Sequence, residues 1–136
     1  MIERTFAIIK PEVVAAKNSG KIIDIIENNG FEILDIKKVE MSKDVAEHFY
    51  DIHKDRPFFN DLVKFISSGP IIVMALQKEN AIQAWRDLIG ATDPAKAAEG
   101  TIRKLFGESI DKNAVHGSDA SETAKREIGI FFPELA

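Results

Sequence analysis

The residue whose surroundings most invite chemistry is His116, in the run Asn113-Ala114-Val115-His116-Gly117-Ser118-Asp119. A neutral imidazole is a good nucleophile, and its unperturbed pKa of about 6.5 leaves it mostly unprotonated at pH 7. The segment stands between small residues just ahead of a predicted helix start, where unpaired backbone N–H groups attract anions. Gly117 has no side chain to crowd a phosphate beside the ring. The same run is also an ordinary turn and helix cap with a chance histidine, and the pattern alone leaves both readings open. His48 and His53 lie five positions apart on a predicted helix, unlike metal ligands at four-residue spacing, and read as polar helix residues.

Basic residues sharpen the case for phosphate. Arg86 follows an apolar strand-like run, and Arg103 follows Gly100-Thr101-Ile102. A guanidinium grips phosphate oxygens with a rigid fork of donors. Phosphoryl transfer asks little of a protein beyond positioning and charge stabilisation. Arg86, Arg103, Lys10 at a strand end and the hydroxyl of Thr92 would supply both, although each alone is more often a solvated surface residue. A P-loop is excluded, because Gly20-Lys21 is followed by Ile22 and Ala15 stands where the first glycine belongs. His116 with Ser118 and Asp119 makes no hydrolase triad, since no G-x-S-x-G elbow exists. The chain has no cysteine, which removes disulfides, thiolate metal sites and cysteine nucleophiles.

These residues need a scaffold, and 136 residues with 45% apolar and 29% charged side chains suit one compact unit over 1–136. The formal net charge of −4 argues against a protein that coats nucleic acid, yet leaves room for a local anion site. The opening Met1-Ile2-Glu3-Arg4-Thr5 does not read as a signal peptide, and Ile71 to Leu76 is too short to cross a bilayer. A cytoplasmic protein without membrane attachment is expected.

Arg4 to Ile9 reads as a strand ended by Pro11, and Ile22, Ile25 and Ile26 mark a helix over 21–29 stopped by Gly30. Phe31 to Met41 reads as a long strand whose alternation changes phase at Lys37-Lys38, which predicts a bulge there. Ser42 is a predicted N-cap, with Val45, Phe49 and Ile52 along one helical face. A second helix follows over 58–67, then the Ser68-Gly69-Pro70 turn. Ile71 to Leu76 reads as a buried central strand, and Asn80 as the cap of a helix through Trp85 to Ile89. One helix is predicted after Thr101 and a last one from Ser121. The order predicts an α+β fold: a ferredoxin-like split βαβ sandwich, with an antiparallel four-stranded sheet covered by helices. Ile128 to Phe132 is the expected fourth strand.

The chain resembles the nucleoside diphosphate kinase family. The residues that carry the likeness include Asn113-x-x-His116-Gly117-Ser118-Asp119 and the opening Arg4-Thr5-Phe6-Ala7-Ile8-Ile9-Lys10-Pro11. Tyr50, Arg56-Pro57-Phe58-Phe59, Leu62-Val63, Ser68-Gly69-Pro70, Arg86, Gly90-x-Thr92-Asp93-Pro94 and Gly100-Thr101-Ile102-Arg103 follow in family order. The likeness covers essentially the whole chain. It departs from the common pattern at Glu99 and over Lys104-Leu105-Phe106-Gly107-Glu108-Ser109, which concerns packing or assembly more than chemistry.

The resemblance implies transfer of the γ-phosphate of a nucleoside triphosphate to a nucleoside diphosphate, by a ping-pong route through phosphohistidine at His116. Attack would come from Nδ1, with Glu127 accepting a hydrogen bond from the other ring nitrogen and Ser118 holding that pair. Tyr50 would sit beside the transferring phosphate. Lys10, Arg86, Thr92 and Arg103 would contact phosphates, with Lys10 and Asn113 also near the ribose. Phe58 would stack on the base, with Leu62 and Ile110 lining the same slot, so that the base is read loosely. Mg²⁺ would be held by nucleotide phosphates rather than by the protein. A homo-oligomer, tetramer or hexamer, is implied, and nucleic acid is not an expected partner. Two rival readings are a non-catalytic nucleotide- or nucleic-acid-binding module on the same fold and a structural oligomer with a degenerate site.

Overall fold

The computed structural model describes residues 1–135, so Ala136, the last residue of the expected 1–136 unit, lies outside them. Strand β1 (Ile2–Ile9) runs into α1 (Pro11–Ala15), whose first position takes the proline that ends the strand. Helix α2 (Ser19–Asn28) buries Ile22 and Ile26. Strand β2 (Glu32–Val39) precedes α3 (Lys43–Phe49), where the Ser42 hydroxyl accepts the Val45 N–H at 3.2 Å. Next come α4 (Phe59–Ile66), β3 (Ile71–Glu79) and α5 (Ala81–Ile89). Thr101 caps the short α6 (Ile102–Phe106), and β4 (Val115–Gly117) and α7 (Ser121–Phe131) complete the order.

The four strands form one sheet in the order β2-β3-β1-β4, with every neighbouring pair antiparallel. This is the expected α+β, ferredoxin-like sandwich. Both faces are covered. Ala7, Ile9, Ile72, Met74 and Leu76 meet Ile22, Ile26, Trp85 and Ile89 on one side. Phe6, Ile8, Ile71, Val73 and Ala75 meet Phe49, Val63, Ile66, Ile128 and Phe132 on the other. A strand buried on both sides has no polar face, which is why 71–76 is an unbroken apolar run. Each such aliphatic side chain stabilises the fold by roughly 1.5–3 kcal/mol on burial.

Four local expectations are corrected. The fourth strand is Val115–Gly117, not Ile128 to Phe132: residues 128–131 continue α7, which buries Ala124, Glu127 and Ile128 at helical spacing. The irregularity in β2 falls between Ile33 and Asp35 rather than at Lys37-Lys38, whose phase change reflects exposed lysine stems at the outer edge. Ser121 is the first helical residue of α7 and not its cap, and Ala120 precedes it with no side-chain cap bond. Asn80 stands at the cap position of α5 with φ 52°, but its side chain makes no cap bond. Its contribution is tolerance of the left-handed region.

Candidate active site

His116 sits at the middle of β4, opposite Ile8 of β1. It therefore belongs to a strand, not to the mouth of a helix, and the expected anion site at a helix start does not apply to it. The charge there comes from side chains. A cleft of about 420 Å³ is lined by His116, Gly117, Glu127, Arg86, Arg103, Thr92, Asp87 and Asp119, among others.

The imidazole is held by its surroundings without being sealed off. Its Nε2 lies 3.0 Å from Glu127 Oε1, and the Ser118 hydroxyl donates to the same oxygen at 2.7 Å. The His116 side chain keeps 22% of its surface exposed, against 5% for Glu127. Phe49 meets the ring edge-on with centroids 5.3 Å apart, and Phe6 does so at 6.3 Å. With Nε2 bonded to a carboxylate, the neutral ring carries its proton there, and Nδ1 keeps the lone pair. Among the described residues Nδ1 has no hydrogen-bond partner.

Arg103 does two things at once. Its Nε–H donates to the Asn113 carbonyl at 3.3 Å, Nη1 to Gly90 at 3.0 Å and Nη2 to Val115 at 3.0 Å. Three of its five donors thus hold main chain on both sides of the cleft, and two stay available to an anion. Burial, then the neighbouring Arg86, lowers its pKa to about 10, so it is charged at neutral pH. Lys10 is buried, with Nζ donating to Asn113 Oδ1 at 2.7 Å. Burial, then Arg103, brings its pKa down to about 8, while Glu12 and Asp111 pull the other way. Asn113 also donates to the Thr92 carbonyl at 3.2 Å.

The sequence-predicted residues fall into two groups. His116, Glu127, Arg86, Thr92, Arg103 and Gly117 line the cleft itself. Lys10 and Asn113 form a buried pair joined to that wall through Thr92 and Arg103. Ser118 reaches it through Glu127. Tyr50 packs edge-on against Phe49 at 5.0 Å, and burial, then Glu127, pushes its hydroxyl pKa up, so it stays protonated. Phe58 is 44% exposed and Ile110 58% exposed, at the periphery rather than in the wall, while Leu62 is half-buried on α4. Gly117 has a different reason from the one its spacing suggests: a Cβ there would lie 2.6 Å from Trp85 Cδ1, so the indole requires the glycine.

Several lining residues escaped the sequence reading. His53 lines the cleft, with its ring 6.4 Å from Tyr50 and 5.9 Å from Phe58, whereas His48 is exposed as expected. The separation of His53 from Tyr50, one helical turn, was the available signal. Asp87, one residue after Arg86, carried no mark of its own, and Asp119 was read only as part of the run around His116.

A nucleophilic imidazole backed by a carboxylate and facing two guanidinium groups, on a ferredoxin-like sandwich, fits a phosphotransferase. The nucleoside diphosphate kinase family model matches residues 3–136. A nucleoside diphosphate kinase of Geotalea uraniireducens (strain Rf4) is 58% identical over 134 residues, covering 98% of each chain. That of Trichlorobacter lovleyi is 60% identical over 131 residues, covering 96% of this chain and 95% of that protein. Among solved structures, the Aquifex aeolicus enzyme superposes with TM-score 0.97 at 40% identity, covering 99% of this chain and 98% of the other. The Halobacterium salinarum enzyme in complex with CDP superposes with TM-score 0.92 at 38% identity, covering 97% and 88%. The chain belongs to the nucleoside diphosphate kinase family and is a phosphotransferase.

Proposed function

We propose that the chain exchanges phosphate between nucleotides through a covalent intermediate on His116. The observation that carries this reading is the single hydrogen bond from Nε2 to Glu127, which leaves Nδ1 as the nucleophilic nitrogen. The Nδ1 lone pair attacks the γ-phosphorus of a nucleoside triphosphate, and the bond from that phosphorus to the bridging oxygen of the β-phosphate breaks. A nucleoside diphosphate leaves with the electron pair. A terminal β-phosphate oxygen of a second diphosphate then attacks phosphohistidine, and the imidazole is restored. The ring becomes cationic as it is phosphorylated, and Glu127 stabilises that charge through the Nε2–H.

Arg86 and the two free donors of Arg103 hold the charge that spreads over the equatorial oxygens. Lys10, Thr92 and Asn113 bind further along the phosphates and ribose, with the Tyr50 hydroxyl beside the transferring group. Mg²⁺ belongs with the substrate. Among the described residues no three His, Asp or Glu side chains gather to hold an ion, which fits a cation carried on nucleotide oxygens. When bound, it neutralises phosphate charge.

Phe58 and Ile110 are exposed, and together with Leu62 they would offer apolar surface that any base can cover, so base identity is read weakly. The same family likeness supports a homo-oligomer, tetramer or hexamer, working on nucleoside di- and triphosphates in the cytoplasm. Among the described residues no helix is long and apolar enough to cross a membrane. Labelling with γ-³²P-ATP tests the reading: acid-labile, base-stable label on His116 is the expected product.

A further inference from the structure

Trp85 is the only tryptophan of the chain, fully buried, and the phosphate exchange described above assigns it nothing. It stands on α5, one residue before Arg86. Its indole Nε1–H donates to the main-chain carbonyl oxygen of His116 at 3.2 Å. The same edge of the indole fills the space a side chain would need at Gly117, where a Cβ would come within 2.6 Å of Cδ1 and 2.7 Å of Nε1. Behind it, the ring of Phe31 packs edge-on at 5.9 Å and fixes the indole plane.

This contact matters because of what β4 lacks. The strand has three residues, pairs with β1 alone, and is the outermost strand of the sheet. Among the described residues no further strand flanks it. On its far side the main chain is held by Arg103 at the Val115 carbonyl, while the His116 carbonyl, which the ladder pairs with Ile8 of β1, takes a second donor from Trp85 on the α5-covered face of the sheet. A short edge strand held on one side slides easily, and its central residue is the one that must meet phosphorus in line.

We infer that Trp85 is a positioning residue for His116, fixing the main chain of the nucleophile against the same turn of α5 that carries Arg86. The inference rests on the reading of His116 as the phosphorylated residue. The indole is rigid and buried, so its N–H transmits the place of α5 to β4 directly. A nucleophile misplaced by 1 Å costs on the order of 10²-fold in rate, and losing one hydrogen bond permits a smaller displacement, which sets the expected loss at about three- to tenfold.

The test replaces the single tryptophan with β-(3-benzothienyl)alanine, which keeps the bicyclic shape and puts sulfur in place of the N–H. Trp85→Phe is the simpler companion, and the isosteric protein carries the test if that variant folds poorly. Melting temperature, KM for ATP and the acceptor, and the single-turnover rate of acid-labile labelling by γ-³²P-ATP are measured. The expected result is a near-native melting temperature, KM within about twofold and labelling slowed about three- to tenfold, a split that mere core filling does not produce. Labelling at the wild-type rate, or a loss that follows the melting temperature alone, overturns the role of Trp85. If wild-type protein itself takes no label on His116, the functional reading falls first and this inference with it; if wild type labels and the isosteric variant labels equally fast, only the inference falls.

Discussion

His116 and Glu127 meet through one hydrogen bond, Nε2 to Oε1 at 3.0 Å, and that oxygen also takes the Ser118 hydroxyl at 2.7 Å. The carboxylate is buried on α7, and the ring it holds lies on β4. One side chain thus sets the tautomer of His116 and joins the last helix to the edge of the sheet.

Glu127→Gln separates the charge of that carboxylate from its hydrogen bond. An amide can still accept from Nε2–H, but it carries no negative charge to stabilise the ring as it becomes cationic. We expect kcat to fall about 10- to 100-fold with KM nearly unchanged, as for other carboxylates behind a working histidine. Steady-state kinetics with ATP and a diphosphate acceptor measure it. A KM increase at constant kcat would place Glu127 in nucleotide binding instead.

Lys10 makes activity and stability depend on pH in opposite directions. Its pKa is lowered from 10.5 to about 8, chiefly by burial and then by Arg103. The protonated form attracts phosphate, so kcat/KM should fall as pH rises through about 8. The unfolded chain keeps this proton up to 10.5 while the folded chain has released it, so this group's contribution to stability rises with pH between about 8 and 10.5. Lys10→Gln should abolish both dependences. Paired pH profiles of kcat/KM and of urea midpoint, wild type against variant, decide the matter.

Arg86 and Arg103 should part company when each is replaced by lysine. Arg103 holds the carbonyls of Asn113, Gly90 and Val115, and a lysine ammonium cannot reproduce that fork. Arg103→Lys should lower both stability, by about 2–3 kcal/mol, and turnover. Arg86 is exposed and makes no side-chain hydrogen bond among the described residues, so Arg86→Lys should cost turnover with the denaturation midpoint unchanged. Chemical denaturation beside kinetics separates the two, and equal destabilisation would contradict the assignment.

How much of this was legible in the residues follows from the range of the interaction responsible. Ser42 was readable as a cap, and a helix after Thr101 likewise, because a hydroxyl acts on an N–H three residues away. The strand at 71–76 was readable because burial on both faces leaves an apolar run. The fourth strand was not readable: β4 has three residues, too few for an alternation, and its partner β1 lies more than a hundred positions earlier. The apolar stretch from Ile128 to Phe132 took its place, since Glu127, a buried carboxylate, interrupts the apolar period that would have marked a helix. At the site, the residue types of His116, Arg86 and Arg103 suited phosphate chemistry but left a chance histidine open until the family resemblance joined them. Trp85 and Glu12, whose carboxylate accepts the Ala114 N–H at 3.0 Å, touch that segment only through the fold and leave no local trace.

The central claim is that Nδ1 of His116 bonds covalently to phosphorus. Wild-type protein and His116→Ala should be mixed with γ-³²P-ATP, quenched, and the label tested for stability in acid and in base. The account predicts acid-labile, base-stable label on the wild type alone, all of it passing to an added diphosphate, with ATP still bound by the variant. Phosphate exchange that persists in His116→Ala, or label on the wild type that survives acid, would contradict it.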